Sequence, residues 1–539
     1  MITHIAIENF KGIGERVELD LRPITLLFGA NSAGKSTIVH ALHYAREIFE
    51  RHNLDAGNTY SGGGHVDLGG FRNLVHGRDP TRKVTLGFEF KLGEVGLPGY
   101  EPAGEDNPSA IDDVLVSAQT AGVEVQLAWS ELENHPLVES YSTSLDGEWV
   151  STLSNAPGRR TQTLRVNAAH SSLSAADEAG GDIPSFASGS SAFRAIADHL
   201  YLSDVIATPG TFQGDNPDEP CETIYEFEYP AGDHPLPDFD EMLKLESRYS
   251  KDSEIDYDMF RYWKQLLDVA LSQLCLGPGA ALSELLGDFR YLGPLRDTPP
   301  RDFRPPRFPD TSRWASGLGA WDALQKDSGN LTYEVSDWLG SKERLNAGYT
   351  VEQRNIVELD LANPLVAKLV SGRAFDETEQ GAGLGIDTGK LVRRVVIVPE
   401  NQEIELRPHD VGVGISQVIP VVVSALTGKG KLTAVEQPEL HLHPKLQSEL
   451  GDLFIDSDGQ FILETHSEHL ILRLMRRIRE TAEDENATPM PLTPDELAVY
   501  FVDQPETHVR VTRLSIDKSG EFTTDWPDGF FEERAKELF

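Results

Sequence analysis

Four residues near the amino terminus have the types and spacing of a phosphate-binding loop. Gly29 is followed, after four residues, by Gly34, Lys35 and Ser36, which matches the pattern G-x-x-x-x-G-K-[S/T]. A loop that wraps phosphates with backbone N–H groups needs small residues, and the following helix points its positive end at the anion. Lys35 is expected to reach the β- and γ-phosphates and the Ser36 hydroxyl to bind Mg²⁺. An apolar strand-like run precedes the motif and a helical run follows it, as this chemistry requires.

A second segment supplies acidic and amide oxygens. The sequence LTAVEQPELHLHP, at residues 432–444, is an apolar strand that ends in Glu436 and Gln437, where a nucleotide-bound Mg²⁺ ion would need an oxygen ligand. Further along, QFILETHSEHL gives another buried strand, which ends in Thr465 and His466. The phosphate loop alone does not separate kinases, GTPases and ATPases, and this second set of residues favours an ATPase.

A third segment, DVGVGISQV at residues 410–418, is a glycine-rich turn before a helix predicted to start near Ser416. Its two glycines, Gly412 and Gly414, and the Ser416 hydroxyl form a second site where backbone amides can hold an anion. One nucleotide in one chain does not need two phosphate-binding loops. Two chains packed head to tail do, because each loop then covers the γ-phosphate held by the other chain.

The segments around these motifs predict an α/β fold. Alternation with a period of two predicts strands in HIAIENF and RVELDL, and ITLLFG has the continuous apolar pattern of a buried strand. After residue 391, the predicted strands RRVVIVP, QEIELRPHD, KLTAVEQPE and QFILE alternate with helices, which implies a parallel sheet.

The middle of the chain has a mixed pattern. GVEVQLAWSEL and QTLRVNAA are predicted strands, and MFRYWKQLLDVALSQL is helical without sustained heptads. Two acidic stretches rich in glycine and serine, residues 93–113 and 171–192, are typical of surface linkers.

The composition limits the kinds of partner. The chain has 539 residues, of which 48 are basic and 87 acidic, so its formal net charge is −39. Such a surface repels phosphates, so DNA would have to meet a local basic patch. The candidates for that patch are Arg296, Arg301, Arg304, Arg307 and the segment LRLMRRIRE at residues 472–480. The acidic excess equally fits an adaptation to solubility or high salt.

Cysteines and apolar runs point to an ordinary soluble protein. The two cysteines, Cys221 and Cys275, form no CxxC pair, so neither zinc nor a disulfide framework is indicated. The amino terminus has no secretory signal, and apolar runs such as VIPVVVSAL are too short to span a membrane. We therefore expect a cytoplasmic protein without a membrane partner.

The order GANSAGKST, GVGISQ, VEQPELHLHP and ETHS resembles the ABC-type ATPase heads of the RecF/SMC-like group. It resembles more closely the AAA-family ATPases found beside effector genes in bacterial defence systems, and the ATPase half of OLD-type nucleases. IAIENFKGI near the start and YLGPLR at residues 291–296 are also similar to that group. The sequence from LSIDKSG onward resembles a small terminal domain of unknown function. The resemblance covers residues 1–92 and 285–539.

This resemblance implies an ABC-type P-loop ATPase head with mixed and parallel sheets, a large α+β insertion and no long coiled coil. It divides the chain into an amino-terminal ATPase lobe with the phosphate loop (1–92) and an inserted α+β region with acidic linkers (93–284). A carboxyl-terminal ATPase lobe (285–480) then carries the signature loop, the acidic strand and the switch histidine. A small carboxyl-terminal domain (481–539) follows.

The resemblance also implies ATP and Mg²⁺ as cofactors and gives roles to individual residues. The phosphate-binding residues are Asn31, Ser32, Ala33, Gly34, Lys35, Ser36 and Thr37. The signature loop, which acts across a dimer, consists of Gly412, Gly414 and Ser416, with Gln417 beside it. Ser36 and Glu436 hold Mg²⁺, and His466 is the switch histidine that contacts the γ-phosphate and polarises the attacking water. His441, His443 and Pro444 belong to a turn that meets the other subunit, and the two histidines lack a third ligand for a metal.

One position departs from the pattern of the group. Its active members place a glutamate directly after the acid that ends the strand, whereas this chain has Gln437. An amide can position a water molecule but cannot accept its proton, so Glu439 or the nucleotide itself would have to receive it. Positioning and charge neutralisation dominate phosphoryl transfer. We therefore expect slow hydrolysis, with ATP binding as the principal signal.

The leading functional hypothesis is a regulatory ATPase. A homodimer, or a higher even oligomer, closes around ATP and controls a separate effector such as a nuclease or toxin, in anti-phage defence. The effector is expected to be separate because no DxD cluster of a nuclease domain follows ETHS. The alternatives are a DNA-binding RecF/SMC-like repair ATPase and a scaffold that binds ATP without hydrolysing it. The nucleotide-binding subunit of a transporter is disfavoured by the long insertion.

Overall fold

The computed structural model describes the chain in fourteen stretches, which contain all the motifs above. They are residues 1–93, 96–100, 118–155, 161–167, 170, 210–212, 222–230, 236–244, 257–357, 364–372, 391–402, 404–484, 488–505 and 508–524. The strands are β1 (Ile2–Glu8), β2 (Val17–Asp20), β3 (Ile24–Phe28), β4 (Val84–Lys91), β5 (Thr120–Ser130), β6 (His135–Leu145), β7 (Glu148–Ser154), β8 (Thr161–Asn167), β9 (Gly210–Phe212), β10 (Glu222–Pro230), β11 (Arg290–Leu292), β12 (Tyr349–Val357), β13 (Leu391–Pro399), β14 (Leu432–Glu436), β15 (Gln460–Glu464), β16 (Leu497–Asp503) and β17 (Arg510–Leu514).

The α-helices are α1 (Lys35–Arg51), α2 (Phe71–Leu74), α3 (Tyr257–Cys275), α4 (Gly277–Gly287), α5 (Leu318–Lys326), α6 (Asn330–Gly340), α7 (Pro364–Ser371), α8 (Val413–Leu426), α9 (Pro444–Asp456) and α10 (Glu468–Glu483). Short 3₁₀ helices lie at His76–Arg78, Thr311–Trp314, Pro408–Asp410 and Pro494–Glu496.

The phosphate loop follows the fourth strand of a six-stranded sheet with the order β11-β14-β15-β3-β16-β17. The first five strands are parallel, and β17 runs antiparallel to β16. Every residue of β3, β14 and β15 is buried, which explains why these segments are continuous apolar runs. Because the strands are parallel, their carboxyl ends, and the sequence motifs that follow them, lie along one edge of the sheet.

A second sheet is antiparallel, with nine described strands in the order β2-β1-β4-β5-β6-β7-β8-β10-β9. Its first three strands come from the amino-terminal lobe and the others from the inserted region. Helix α1 joins the two sheets, because Ile38 and Leu42 lie in one buried cluster with Ile5 of β1 and Leu27 of β3. The described strands of the insertion therefore extend the sheet of the amino-terminal lobe.

The opposite face of the six-stranded sheet packs on helices of the carboxyl-terminal lobe. Leu26 and Phe28 of β3 lie in a second buried cluster with Trp321 of α5 and Trp338 of α6. Apolar side chains of α8, α9 and α10 complete this cluster. Successive side chains of a strand point to opposite faces, so β3 contributes to both cores and carries the phosphate loop from the region between them.

The predicted α/β class with mixed and parallel sheets is confirmed. The longest helix within the described ranges is α3, with 19 residues, in agreement with the expected lack of a long coiled coil. Most of the first predicted linker and all of the second lie outside the described residues.

Two local predictions were wrong. QEIELRPHD is not a strand in its described residues, because Leu406 forms only an isolated bridge with Ile397 and Pro408 opens a 3₁₀ turn; proline cannot donate to a strand ladder. Helix α8 starts at Val413 rather than near Ser416. The glycine-rich turn is itself the first turn of the helix, since Gly412 is the last residue with extended backbone angles.

One helical stretch among the described residues, Leu267–Gly287, is long and apolar enough to cross a membrane. Within it, 72% of the apolar window is buried inside the protein, and Leu271 and Leu282 belong to the first core cluster. A buried core helix can have the same length and composition as a membrane-spanning helix, so this stretch is weak evidence for a membrane span.

The strands β16 and β17 complete the sheet that carries the phosphate loop. Tyr500 of β16 also links the two sheets: its hydroxyl accepts a hydrogen bond from the backbone N–H of Asp20 at 2.7 Å and donates one to the Asp20 carbonyl at 3.0 Å. Asp20 ends β2, at the edge of the nine-stranded sheet. The tyrosine is buried, so it satisfies two backbone groups that would otherwise lack partners.

We predict that Tyr500→Phe lowers stability by about 1 kcal/mol, because it removes two hydrogen bonds from the half-buried backbone of Asp20. Thermal unfolding of the purified protein would show this as a lower Tm. The matched control is Tyr333→Phe, since Tyr333 is 74% exposed and loses nothing buried. Equal melting temperatures for the two variants would contradict the role of this link.

Candidate functional site

The phosphate loop connects β3 to α1 and is shaped by two glycines that have no room for a side chain. Gly29 has φ +148°, and a Cβ there would lie 2.0 Å from the Val502 carbonyl oxygen of β16. Gly34 has φ +100°, and a Cβ there would lie 2.5 Å from the side chain of Val509. The glycines of the motif are therefore required by close packing as well as by backbone conformation.

The other loop residues divide into exposed and buried ones. Asn31 and Ser32 are exposed, with Ser32 at φ 63°, so their backbone and side-chain groups face solvent. Ala33 and Thr37 are buried, and the Thr37 N–H donates to the Gly34 carbonyl in the first turn of α1. This leaves the loop open on one side, as a phosphate-binding loop requires.

Lys35 is only 3% exposed, and its ammonium group lies inside the loop. Its Nζ donates to the carbonyl oxygens of Gly29 at 3.0 Å and Ala30 at 2.9 Å, and lies 3.7 Å from Glu464 Oε1. Burial lowers the pKa of Lys35, and the nearby carboxylates oppose this shift, Glu464 most strongly. The lysine nitrogen therefore lies inside the loop, in the place where a phosphate would need it.

Ser36 and Glu436, the two predicted Mg²⁺ ligands, have different hydrogen-bond partners in the structure. The Ser36 hydroxyl donates to Glu464 Oε2 at 2.9 Å, whereas Glu436 Oε1 accepts from the Tyr291 hydroxyl at 3.0 Å. Glu436 and Glu464 are direct partners in the register of β14 and β15. Both carboxylates therefore lie at the carboxyl ends of neighbouring parallel strands. Hydroxyl and carboxylate oxygens are the hard donors that Mg²⁺ prefers, and the donor set fits this ion.

Burial changes the acid–base properties of these groups. The pKa of Glu436 is raised to about 7, first by burial and then by the charge of Glu464. Burial also raises the pKa of Glu439 and of the Tyr291 hydroxyl. Burial thus disfavours the ionised form of these acids in the ligand-free protein, and a bound divalent cation would favour it.

Glu439 and His466 lie next to each other, and the contact between them is made by the backbone of His466. Glu439 Oε1 accepts a hydrogen bond from the His466 backbone N–H at 2.8 Å, so the carboxylate fixes the loop that carries the histidine. The pKa of His466 is lowered, first by burial and then by Lys35, which favours a neutral imidazole. Glu439 Oε2 and His466 Nε2 are buried atoms without a hydrogen-bond partner in the structure.

Gln437 follows β14 in a left-handed backbone conformation, with φ 46°. Its backbone N–H donates to the Glu464 carbonyl at 2.7 Å, and its own carbonyl accepts from Arg296 at 3.2 Å. The backbone is thus fixed on both sides, and the half-buried side chain is carried at the end of the strand next to Glu436.

The residues of the signature loop differ in their exposure. Gly412 and Val413 are exposed at the start of α8, whereas Ser416 is buried and its hydroxyl donates to the Val413 carbonyl at 2.9 Å. Gly414 is half-buried, and a Cβ there would lie 2.9 Å from the His441 carbonyl oxygen. The surface of this loop is therefore formed by backbone and by Val413, not by the serine hydroxyl.

Gln417 points into the protein. Its amide oxygen accepts from the Arg296 backbone N–H at 3.1 Å, and its Nε2 donates to the Arg296 carbonyl at 2.6 Å. Arg296 Nη2 in turn donates to the carbonyl oxygens of Glu436 at 2.7 Å and Gln437 at 3.2 Å. Arg296 therefore connects the start of α8 to the end of β14.

The two histidines of HLHP do not come together with a third ligand. His443 caps α9, where its Nδ1 accepts from the Lys445 N–H, and His441 has φ 64° and lies beneath Gly414. Within the described ranges, no group of three or more histidine, cysteine, aspartate or glutamate side chains is arranged to hold a metal ion.

The predicted basic patches consist largely of ion-paired arginines. On α10, Arg473 and Arg477 both contact the buried Asp452, and Arg476 pairs with Glu480. Arg479 pairs with Glu521. Near the other patch, Arg296 is buried and Arg301 pairs with Asp410. Arg301 and the four arginines of α10 bind the chain's own carboxylates, and Arg296 is buried, so these six side chains do not form a free basic surface.

Three residues of the site were not among the predicted ones: Glu464, Tyr291 and Arg296. Glu464 directly precedes Thr465 and His466 in ETHS, and a buried acid at the end of a parallel strand is itself a signal. Tyr291 and Arg296 lie in YLGPLR, a segment whose similarity to the group was noted; Arg296 was considered only as part of a basic patch, and Tyr291 was given no role.

Comparison with protein families agrees with the two ATPase lobes. Residues 289–473 match the family described as "AAA domain, putative AbiEii toxin, Type IV TA system", and residues 1–76 match "AAA ATPase domain". Residues 492–539 match "Protein of unknown function (DUF3696)". No protein with curated information matches the sequence.

Similar solved structures include SMC head domains. One is an SmcHead bound to the C-winged helix domain of ScpA, with 11% identity, coverage of 96% of this chain and 99% of that one, and a TM-score of 0.39. The SMC head domain from Thermotoga maritima has 8% identity, coverage of 96% and 99%, and a TM-score of 0.35. TM-scores this low do not support a conclusion about function or assembly.

The family matches therefore place AAA-type ATPase sequence in two segments of the chain, residues 1–76 and 289–473. These segments include the phosphate loop and the strands that end in Glu436 and Glu464.

We predict that Glu436→Gln stabilises the ligand-free protein at pH 8 but not at pH 4. Unfolded glutamate ionises near pH 4.5, whereas native Glu436 holds its proton up to about pH 7. Rising pH therefore removes stability between these values, by at most about 3 kcal/mol. Glutamine mimics the protonated acid and still accepts from Tyr291, so its Tm advantage should grow between pH 4.5 and pH 7 and be complete above pH 7. A Tm difference that is the same at both pH values would contradict this assignment.

Proposed function

We propose that the protein binds ATP with Mg²⁺ in the phosphate loop and hydrolyses it slowly. The main support is the gathering of Lys35, Ser36, Glu436 and Glu464 at the carboxyl edge of parallel strands, where nucleotides bind in open α/β sheets. Lys35 would contact the β- and γ-phosphates, while the exposed backbone of Asn31 and Ser32 would wrap them. Mg²⁺ would lie between the Ser36 hydroxyl and the strand-end carboxylates.

Slow hydrolysis follows from the groups that surround the γ-phosphate position. Gln437 can orient a water molecule but cannot take its proton, and Glu439 already accepts from the His466 N–H. A neutral His466 can hydrogen-bond to the γ-phosphate. Because charge neutralisation dominates phosphoryl transfer, Lys35 and Mg²⁺ would still support turnover, with the phosphate as the final proton acceptor.

We further propose that two chains pack head to tail around ATP. The start of α8 exposes Gly412 and Val413, so its backbone N–H groups and positive helix end are available to a phosphate from another chain. The buried Ser416 hydroxyl would reach that phosphate only after a rotation away from the Val413 carbonyl. The assembly is then a homodimer or a higher even oligomer.

The dimer would regulate a separate effector, such as a nuclease or toxin, in the cytoplasm and in anti-phage defence. The support is the sequence resemblance to ATPases found beside effector genes. The family matched by residues 289–473 is itself named for a putative AbiEii toxin. Duplex DNA is the weaker candidate partner, because the arginines of α10 are ion-paired within the chain and the net charge is −39.

We predict that Val413→Glu prevents ATP-dependent dimerisation without affecting ATP binding by one chain, because it places a negative charge where the partner's γ-phosphate would lie. Light scattering with size-exclusion chromatography and equilibrium binding of a fluorescent ATP analogue measure the two properties. Lys35→Ala should lose both. The control is Val370→Glu, the same change at a valine that is 79% exposed, compared with 58% for Val413; it should lose neither. A Val413→Glu protein that still dimerises with ATP would refute the head-to-tail arrangement.

We predict that Gln437→Glu raises the ATP turnover rate about tenfold or more, because it supplies a proton acceptor beside the attacking water. Single-turnover hydrolysis by the wild type and the variant measures this effect. Rapid turnover by the wild-type protein, unchanged in the variant, would show that the proton acceptor lies elsewhere.

A further inference from the structure

The serine of the phosphate loop, Ser36, and a buried carboxylate are in direct contact in the ligand-free protein. Ser36 Oγ donates to Glu464 Oε2 at 2.9 Å, while Glu464 Oε1 lies 3.7 Å from Lys35 Nζ. Glu464 is only 6% exposed. A buried carboxylate is costly unless it is paired, and this one is paired with the two side chains that are expected to hold the phosphates and the metal.

The order of the strands explains why Glu464, and not Glu436, makes this contact. Strand β15 lies directly beside β3, with Glu464 opposite Leu27, whereas β14 is one strand further away. Neighbouring strands are about 4.8 Å apart, so the end of β14 is farther from the phosphate loop by that distance. Glu436 has a different partner, the Tyr291 hydroxyl.

The direction of the Ser36 hydrogen bond suits a metal ligand. When a hydroxyl donates a hydrogen bond to a carboxylate, the lone pairs of the hydroxyl oxygen remain available to a cation. The carboxylate also fixes the direction of these lone pairs. Partners of this kind tune metal affinity even when they do not touch the ion. Glu464 also adds negative charge beside the phosphate site, which repels a nucleotide that arrives without a metal.

We propose that Glu464 is the positioning residue of the magnesium site: it orients the Ser36 hydroxyl toward Mg²⁺ and makes nucleotide binding depend on the metal. This inference rests on the proposed function, since it concerns the same nucleotide site. Glu436 does not contact Ser36 in this arrangement, because its carboxylate accepts a hydrogen bond from the Tyr291 hydroxyl instead.

The test is a comparison of metal affinity and metal-free nucleotide affinity in Glu464→Gln. Electron paramagnetic resonance of Mn²⁺ in the presence of ADP measures the first, and fluorescence of a mant-ATP analogue in EDTA measures the second. We expect the variant to bind Mn²⁺ about tenfold or more weakly and to bind metal-free mant-ATP more tightly than the wild type, because a repelling charge is gone. A general loss of folding would weaken both.

The matched control is Glu468→Gln, the same chemical change four residues further on, in the first turn of α10; it should leave both affinities unchanged. If the glutamine variant does not fold, Glu464→Asp serves instead, because it keeps the charge but withdraws the carboxylate from Ser36. The aspartate variant should also lose Mn²⁺ affinity.

A double-mutant cycle with Ser36→Ala tests whether Glu464 acts through the serine. If it does, the double variant should bind Mn²⁺ no more weakly than the single variant that binds Mn²⁺ less tightly, since the effects of coupled residues are not additive. Additive losses would overturn the positioning role.

The outcomes separate this inference from the proposed function. A wild-type protein that binds no mant-ATP, with or without metal, would refute the proposed function. A wild-type protein that binds nucleotide, together with a Glu464→Gln variant of unchanged Mn²⁺ affinity, would refute only the role of Glu464.

Discussion

The burial of the Lys35 ammonium group among carboxylates is the interaction on which the rest of the site depends. Lys35 and Arg296 are the buried cations, and Glu436, Glu439 and Glu464 are the buried acids. Charges in such a setting are stable only when each has a specific partner. Glu464 is paired with Ser36, Glu436 with Tyr291, and Glu439 with the His466 N–H. These pairings fix the loops after β3, β11, β14 and β15 relative to one another.

Arg296 extends this network to the second lobe. Its backbone exchanges two hydrogen bonds with the Gln417 amide, and its Nη2 donates to the carbonyls of Glu436 and Gln437. The start of α8 and the end of β14 are therefore held by one residue. A shift of the strand end that carries Gln437 would have to move the first turn of α8 or break buried hydrogen bonds. The network is a physical route by which a change at the end of β14 can alter the exposed surface at the start of α8.

The motifs were predictable because local chemistry restricts their residue types. The phosphate loop needs glycine at positions 29 and 34, and the parallel strands need continuous apolar runs, so both are visible in the sequence. The Ser36–Glu464 contact was not predictable, because it depends on β15 lying between β3 and β14. The inward turn of Gln417 also depends on a distant residue, Arg296. Similarly, alternation identified β5 and β8 as strands but could not tell that they extend the sheet of β1.

The carboxyl-terminal segment is part of the nucleotide site through its packing. Strand β16 places the Val502 carbonyl against Gly29, and Val509 contacts both Gly34 and Gly12. The Val509 N–H also donates to the Gly12 carbonyl at 2.8 Å. Gly34 has no side chain that could move aside when Val509 shifts. A displacement of Val509 toward Gly34 would therefore move the backbone of the phosphate loop. The family of unknown function matched by residues 492–539 therefore includes residues that support the loop, and a partner bound at this segment would act directly on the nucleotide pocket.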